Sequence, residues 1–127
     1  MSTPATKRAH EKPVVIRAVL HKPHEIDRPR VFVNPPIIHI GNGDAPKIIR
    51  WDNQTGGPVK FWLADADDYF VCPPGKDFST PFDVDTDKAL ELEVKRHPKK
   101  GHFPYHIFCQ EINGYAEGNS SPNVTCP

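Results

Sequence analysis

The chain has 127 residues, which is room for one ordinary domain and little else. Its 16 Lys and Arg residues balance its 16 Asp and Glu residues, so no long-range field favours nucleic acid, an anionic membrane or an acidic ligand. The 15 prolines, about twice the average usage of roughly 5%, exclude long helices because proline breaks helix interiors.

The N-terminal stretch is polar and charged, and it lacks the apolar segment of a secretory signal. No later apolar run approaches the roughly 18 residues that a membrane span needs. We therefore expect residues 1–12 to be a polar tail and residues 13–127 to form a single domain. The chain as given is expected to be soluble and cytoplasmic.

The chain has three cysteines, a number that cannot be fully paired within one molecule. Reduced thiols are favoured in a chain without a signal peptide. Disulfides between Cys72 and Cys109 or between Cys109 and Cys126 stay open as alternatives.

The residue pattern in the first half of the chain predicts several short strands. Residues 13–20 are rich in β-branched side chains and predict a first strand, and residues 31–33 and 37–40 predict two more. Gly and Asn in residues 41–44 tolerate positive φ, so this segment predicts a hairpin that leads into a strand at residues 47–51.

The second half continues in the same way. Further strands are predicted at residues 58–63, 82–84, 89–94 and 103–109, with a last short one around Val124. In residues 103–109 the alternation places Tyr105, Ile107 and Cys109 on one face and His106 on the other. About seven or eight strands at this spacing indicate an all-β sandwich or barrel.

A family resemblance emerges from the turn that contains Asn53, the strand led by Pro58, and the run Gly101-x-Phe-Pro-Tyr-x-Ile-x-Cys109. These features resemble the cupredoxin family, of the plastocyanin and azurin type, over roughly residues 30–127. The resemblance implies a Greek-key β-sandwich. It also implies a mononuclear copper site with an early His, a Cys at a strand end, a second His and a weak axial Met.

The copper ligands of that family are largely missing here. Cys109 matches the family's Cys, but the early His position falls at Val59, and the second His and the Met fall at Ile112 and Glu117. No His or Met follows Cys109 anywhere in the chain. A blue-copper site needs two imidazoles and a thiolate, so we expect no metal site and no cofactor.

The sequence therefore predicts a non-enzymatic, cupredoxin-like binding or interaction module whose partner is an unidentified protein or small molecule. Its contact loops are placed around residues 52–58, 64–80 and 110–121. Trp62, Tyr69 and Tyr115 are the candidate aromatic anchors.

Two other classes of function remain as alternatives. A variant copper-binding or electron-transfer site would use Cys109 with His102 or His106, although strand alternation turns His106 away from Cys109 and His102 lies farther along the strand. Such a site could also take a histidine from the loop that holds His21 and His24, within one chain or across a dimer. A thiol-dependent enzyme or redox sensor would use Cys109 with His102 or His106 as a base. No Gly-rich phosphate loop, nucleophile elbow or Cys-x-x-Cys motif occurs, so an enzyme is disfavoured.

Overall fold

The computed structural model describes residues 11–20, 29–41, 47–63, 65–112, 114–117 and 122–126. Within these residues the chain forms eleven strands and two short 3-10 segments. The strands are β1 (Glu11–Leu20), β2 (Pro29–Asn34), β3 (Ile37–His39), β4 (Ile48–Gln54), β5 (Val59–Trp62), β6 (Phe82–Val84), β7 (Ala89–Glu93), β8 (Gly101–Pro104), β9 (His106–Cys109), β10 (Gly114–Glu117) and β11 (Asn123–Cys126). The 3-10 segments are Ala66–Asp68 and Gln110–Ile112. None of the helical segments described is long and apolar enough to cross a membrane.

The strands form two sheets around one core. The larger sheet has eight strands in the order β6-β5-β9-β10-β2-β1-β4-β7, and the smaller has three in the order β3-β11-β8. The two outermost strands of the larger sheet, β6 and β7, contact each other, so that sheet curls on itself. The prediction of an all-β sandwich is confirmed.

Several neighbouring strands run parallel, which requires long crossover connections between them. β1 pairs in parallel with β4, β2 with β10, and β3 with β11. β9 lies between β5 and β10 and is antiparallel to both. This placement brings together side chains that are far apart in the sequence.

Aromatic rings fill the centre of the sandwich. Trp51 is fully buried, and its ring meets those of Phe61, Phe70 and Tyr105 edge-on at centroid distances of 5.6, 5.9 and 5.7 Å. The indole N–H of Trp51 donates to the hydroxyl of Tyr105 at 3.1 Å. Edge-to-face packing and a satisfied indole make this cluster a specific core rather than a loose apolar one.

Buried Asn53 organises the turn between β4 and β5. Its Nδ2 donates to the carbonyls of Gly57, Val84 and Asp85 at 2.8, 3.1 and 3.0 Å. Its Oδ1 accepts from the backbone N–H and the hydroxyl of Thr55 at 3.1 and 2.7 Å. The amide thereby fixes the segment from which β5 begins.

The predicted hairpin at residues 41–44 is wrong. β3 pairs with β11 in the smaller sheet, whereas β4 pairs with β1 and β7 in the larger one. A Gly-Asn turn signal marks a local reversal, but the buried faces of the strands decide which sheet each one joins. Residues 42–46 themselves lie outside the described residues.

The strand predicted at residues 103–109 is two strands. The chain leaves the smaller sheet after β8 and enters the larger one at β9, with Tyr105 at the break. Phe103, Tyr105, Ile107 and Cys109 are all buried, so the alternation runs unbroken through the change of sheet. A continuous pattern therefore hides the break, and this is one reason why the predicted strand count is too low.

Two further boundaries differ from the prediction. β1 begins at Glu11, so the last two residues of the predicted tail belong to a strand, while residues 1–10 lie outside the described residues. β10 falls in the stretch after Cys109 that was expected to be a loop. Its composition favours turns, and its strand state comes from pairing with β9 and β2.

Candidate functional site

Cys109 lies at one end of the sandwich beside an aliphatic side chain. Its cross-strand partner on β5 is Val59, the position at which the family resemblance places the early His. Cross-strand partners face the same side of a sheet, and here both are inward, with Val59 1% and Cys109 0% exposed. Ile112 follows on the 3-10 segment and packs against the core. Val59 and Ile112 are both hydrocarbon side chains and offer a metal no ligand atom.

Burial controls the chemistry of this thiol. Desolvation raises the pKa of Cys109 from 9.0 to about 11, because an apolar environment disfavours the charged thiolate. The thiolate is the form that attacks electrophiles and binds metals. Cys109 is therefore a neutral core side chain at physiological pH.

We expect Cys109 to be the slow thiol of this chain. At pH 8, iodoacetamide should modify half-buried Cys72 first, because buried Cys109 and Cys126 become accessible only when the protein opens. In the folded protein the raised pKa of about 11 also keeps the Cys109 thiol neutral, so its modification should stay slower than that of Cys72 throughout pH 7 to 9. Peptide mapping after timed alkylation measures the order of reaction. Fast modification of Cys109 at pH 8 would instead support a thiol-dependent enzyme or redox sensor.

The candidate ligands His102, His106 and Cys109 do not converge. His102 is on β8 of the smaller sheet and His106 on β9 of the larger one, and both are exposed while Cys109 is buried. The predicted opposition of His106 and Cys109 is confirmed. Over the described parts of the chain, no three His, Cys, Asp or Glu side chains lie close enough to hold a metal ion. The three cysteines form no disulfide, so both alternative pairings are wrong.

An aromatic groove lies on the outer face of the larger sheet. Its walls are Trp62 from β5, His106 from β9 and Tyr115 from β10, and it encloses about 350 Å³. The register pairs Trp62 with His106 and Tyr115 with Phe108, so three adjacent strands present these rings together. Trp62 and Tyr115 are 37% and 52% exposed, which is unusual for side chains of this size.

The rings that line the groove are tilted relative to one another. The rings of Trp62 and Tyr115 are 6.4 Å apart at 46°, and those of His106 and Tyr115 are 6.3 Å apart at 78°. Phe108 supports Tyr115 edge-on at 5.1 Å. The result is a cleft with apolar ring faces, whose indole N–H and phenol hydroxyl can orient a ligand.

Among the described residues, those that line the groove include no Asp, Glu, Lys or Arg. Two residues from Trp62 along β5, Lys60 forms an ion pair with Asp83 on β6, with 2.6 Å between Nζ and Oδ1. The chemistry of the lining therefore suits a neutral ligand.

Of the three predicted anchors, Trp62 and Tyr115 come together in the groove and Tyr69 does not. Tyr69 is fully buried, its ring stacked on Phe103 at 4.3 Å and packed beside Phe70 at 4.7 Å. The 3-10 turn before it directs the ring into the core. The sequence interpretation did not place His106 as a wall of the groove, although its outward position in the alternation was a usable signal.

Comparison with known proteins supports the fold. No family model and no curated protein matches the chain. Among solved structures, the multicopper oxidase mgLAC aligns at a TM-score of 0.50 and 15% identity, over 91% of this chain and 38% of the oxidase. A purple cupredoxin from Nitrosopumilus maritimus aligns at 0.45 and 14%, over 91% of this chain and 98% of its own.

A copper(I) form of an amicyanin variant aligns at a TM-score of 0.45 and 16% identity, over 97% of this chain and 88% of its own. The chain spans well under half of the oxidase and nearly all of the single-domain proteins. At these identities the likeness concerns the fold alone. The chain has a cupredoxin-like fold.

Proposed function

We propose that this cupredoxin-like chain is a non-enzymatic binding module without a blue-copper centre, and that the aromatic groove is its contact surface. The observation that carries the proposal is the exposure of Trp62 and Tyr115 around one cleft, at 37% and 52%. Large apolar side chains that form one contiguous exposed patch mark an interaction surface, whereas single exposed ones do not.

The surroundings of Cys109 support the first part of the proposal, that the chain has no blue-copper centre. A blue-copper site holds its ion with a trigonal set of two imidazoles and one thiolate. In this chain the position across from Cys109 is Val59, and the thiol is buried and neutral. One soft ligand without its imidazoles leaves no basis for a tight and selective site.

The aromatic groove supports the second part of the proposal, that the chain is a binding module. Trp and Tyr dominate the energetics of interfaces because each buries a large apolar area while its polar tip finds a partner. The rings stand on three hydrogen-bonded strands, so little conformational entropy is lost when a ligand binds. A rigid aromatic cleft of this kind gains affinity from preorganisation.

The partner is expected to be a neutral protein segment or small molecule. The lining residues that the structure describes carry no carboxylate, ammonium or guanidinium group, so a charged ligand would lose hydration there without gaining an ion pair. The equal numbers of acidic and basic residues give no long-range attraction for nucleic acid.

The test uses two probe sets, an array of neutral glycans and an array of proline-rich peptides. Trp62→Ser and Tyr115→Ser should each weaken binding of a captured ligand at least about tenfold, as expected for an anchor residue. The matched control is Ile37→Ser, which removes a 39% exposed apolar side chain from the smaller sheet. Binding that survives both groove substitutions, or the absence of any groove-dependent ligand, would contradict the proposal.

A further inference from the structure

The outer face of the smaller sheet carries two histidines in one row. His39 on β3 and His102 on β8 are both cross-strand partners of Thr125 on β11, the middle strand. Residues in register across a sheet face the same side, and both histidines are exposed. β3 and β8 are the outer strands of this sheet, so His39 and His102 lie on either side of Thr125.

The hydroxyl of Thr125 contacts both an amide oxygen and one imidazole. It donates to Oδ1 of Asn123 at 2.9 Å. Nδ1 of His102 lies 3.2 Å from the same hydroxyl oxygen, whose lone pairs can accept an N–H. The tautomer with its proton on Nδ1 fits this contact and leaves a lone pair on Nε2.

This arrangement matches what a metal requires of an imidazole. Histidines that ligate metals usually donate their second ring N–H to a nearby acceptor, which fixes the tautomer and raises the basicity of the ligating nitrogen. The hydroxyl of Thr125 supplies that acceptor for His102. The chain thus provides both the ligand and its supporting group.

The spacing allows a shared ion. Two strand spacings of about 4.8 Å separate the backbones of His39 and His102 by about 10 Å. A side chain of about 4 Å plus a Zn–N bond of about 2 Å lets each ring reach an ion above the middle strand.

We propose that His39 and His102 form a surface site for a divalent transition metal such as Zn²⁺, with water completing the coordination. Thr125 is a positioning residue that holds the tautomer of His102. The site lies in the smaller sheet, whereas Cys109 and the groove belong to the larger one. The inference stands independently of the proposed binding function.

Zn²⁺ titration of the reduced full chain by calorimetry tests the site. His39→Gln and His102→Gln should each weaken one bound Zn²⁺ at least about tenfold. Thr125→Val should weaken it about tenfold as well, in the range seen when a supporting hydrogen bond is lost. Thr125→Ser keeps the hydroxyl and should restore the affinity. His97→Gln, at an exposed position outside the row, is the matched control.

A nitrogen-15 NMR spectrum of the histidine rings adds a structural readout. Saturating Zn²⁺ should shift Nε2 of His102 and leave its Nδ1 protonated. Three results would overturn the site: no Zn²⁺ binding, binding that persists with His39→Gln and His102→Gln combined, or binding lost instead with His21→Gln and His24→Gln.

Discussion

Val59→His combined with Ile112→His is expected to turn the reduced protein into a copper protein with intense visible absorption. The pairing of Val59 with Cys109 places a new imidazole on the same inward face as the thiol. Ile112 follows Cys109 on the short 3-10 segment and packs against the same core. The two substitutions supply the imidazoles of a trigonal site around an existing thiol. Cu²⁺ titration followed by visible spectroscopy measures the result.

The control for this experiment is Cys109→Ser added to both substitutions, which should abolish the band because a hydroxyl does not replace the thiolate. Burying two imidazoles costs stability, so circular dichroism is measured first. If the pair does not fold, Val59→His alone with added imidazole provides the same test at lower cost in stability. Folded protein without any Cys109-dependent band would show that this end of the sandwich lacks cupredoxin geometry.

Asn53→Ala is expected to lower the free energy of unfolding by about 3 to 5 kcal/mol, the range in which a buried hydrogen-bond network is broken. Asn53 is 1% exposed, and its amide satisfies three carbonyl groups and the backbone and hydroxyl of Thr55. Alanine removes this partner from the carbonyls of Val84 and Asp85 and from the N–H of Thr55, while the hydroxyl of Thr55 keeps its bond to the carbonyl of Gly57. Urea denaturation followed by tryptophan fluorescence measures the change.

The neighbouring substitution Gln54→Ala is the matched control for Asn53→Ala, since Gln54 is exposed on the same strand. Its effect should stay within about 0.5 kcal/mol. Asn53→Asp should be at least as harmful as alanine, because a carboxylate would face three carbonyl oxygens. A loss below 1 kcal/mol for Asn53→Ala would contradict the assigned role of the amide.

Strand character could be predicted from side-chain alternation because one face of each strand meets the core. Val59, Phe61 and Leu63 are buried and Trp62 is exposed, as the period of two requires. The same pattern could not show where residues 103–109 change sheets, because Tyr105 stays buried through the break. Strand existence is local information, whereas sheet membership depends on distant partners.

In the candidate sites too, some features could be predicted from the sequence and others depend on strands that are distant along the chain. The position of Val59 beside Cys109 could be predicted because the family resemblance fixes the order of ligand positions along the chain. The groove could be predicted only in part: Trp62 and Tyr115 were identified separately, and the pairing of β5, β9 and β10 brings them together. The row that joins His39 and His102 depends on register across β11, which no local pattern encodes.

Cu²⁺ titration of the reduced wild-type protein, read by visible absorption and repeated with Cys109→Ser, tests whether this cupredoxin-like chain lacks a blue-copper centre. We expect no intense visible band that depends on Cys109, since Val59 and Ile112 lie where imidazoles would be needed. Cu²⁺ bound at His39 and His102 would lack a thiolate ligand and give no such band. Tight one-to-one binding with an intense band that Cys109→Ser abolishes would show that the chain is a variant copper protein.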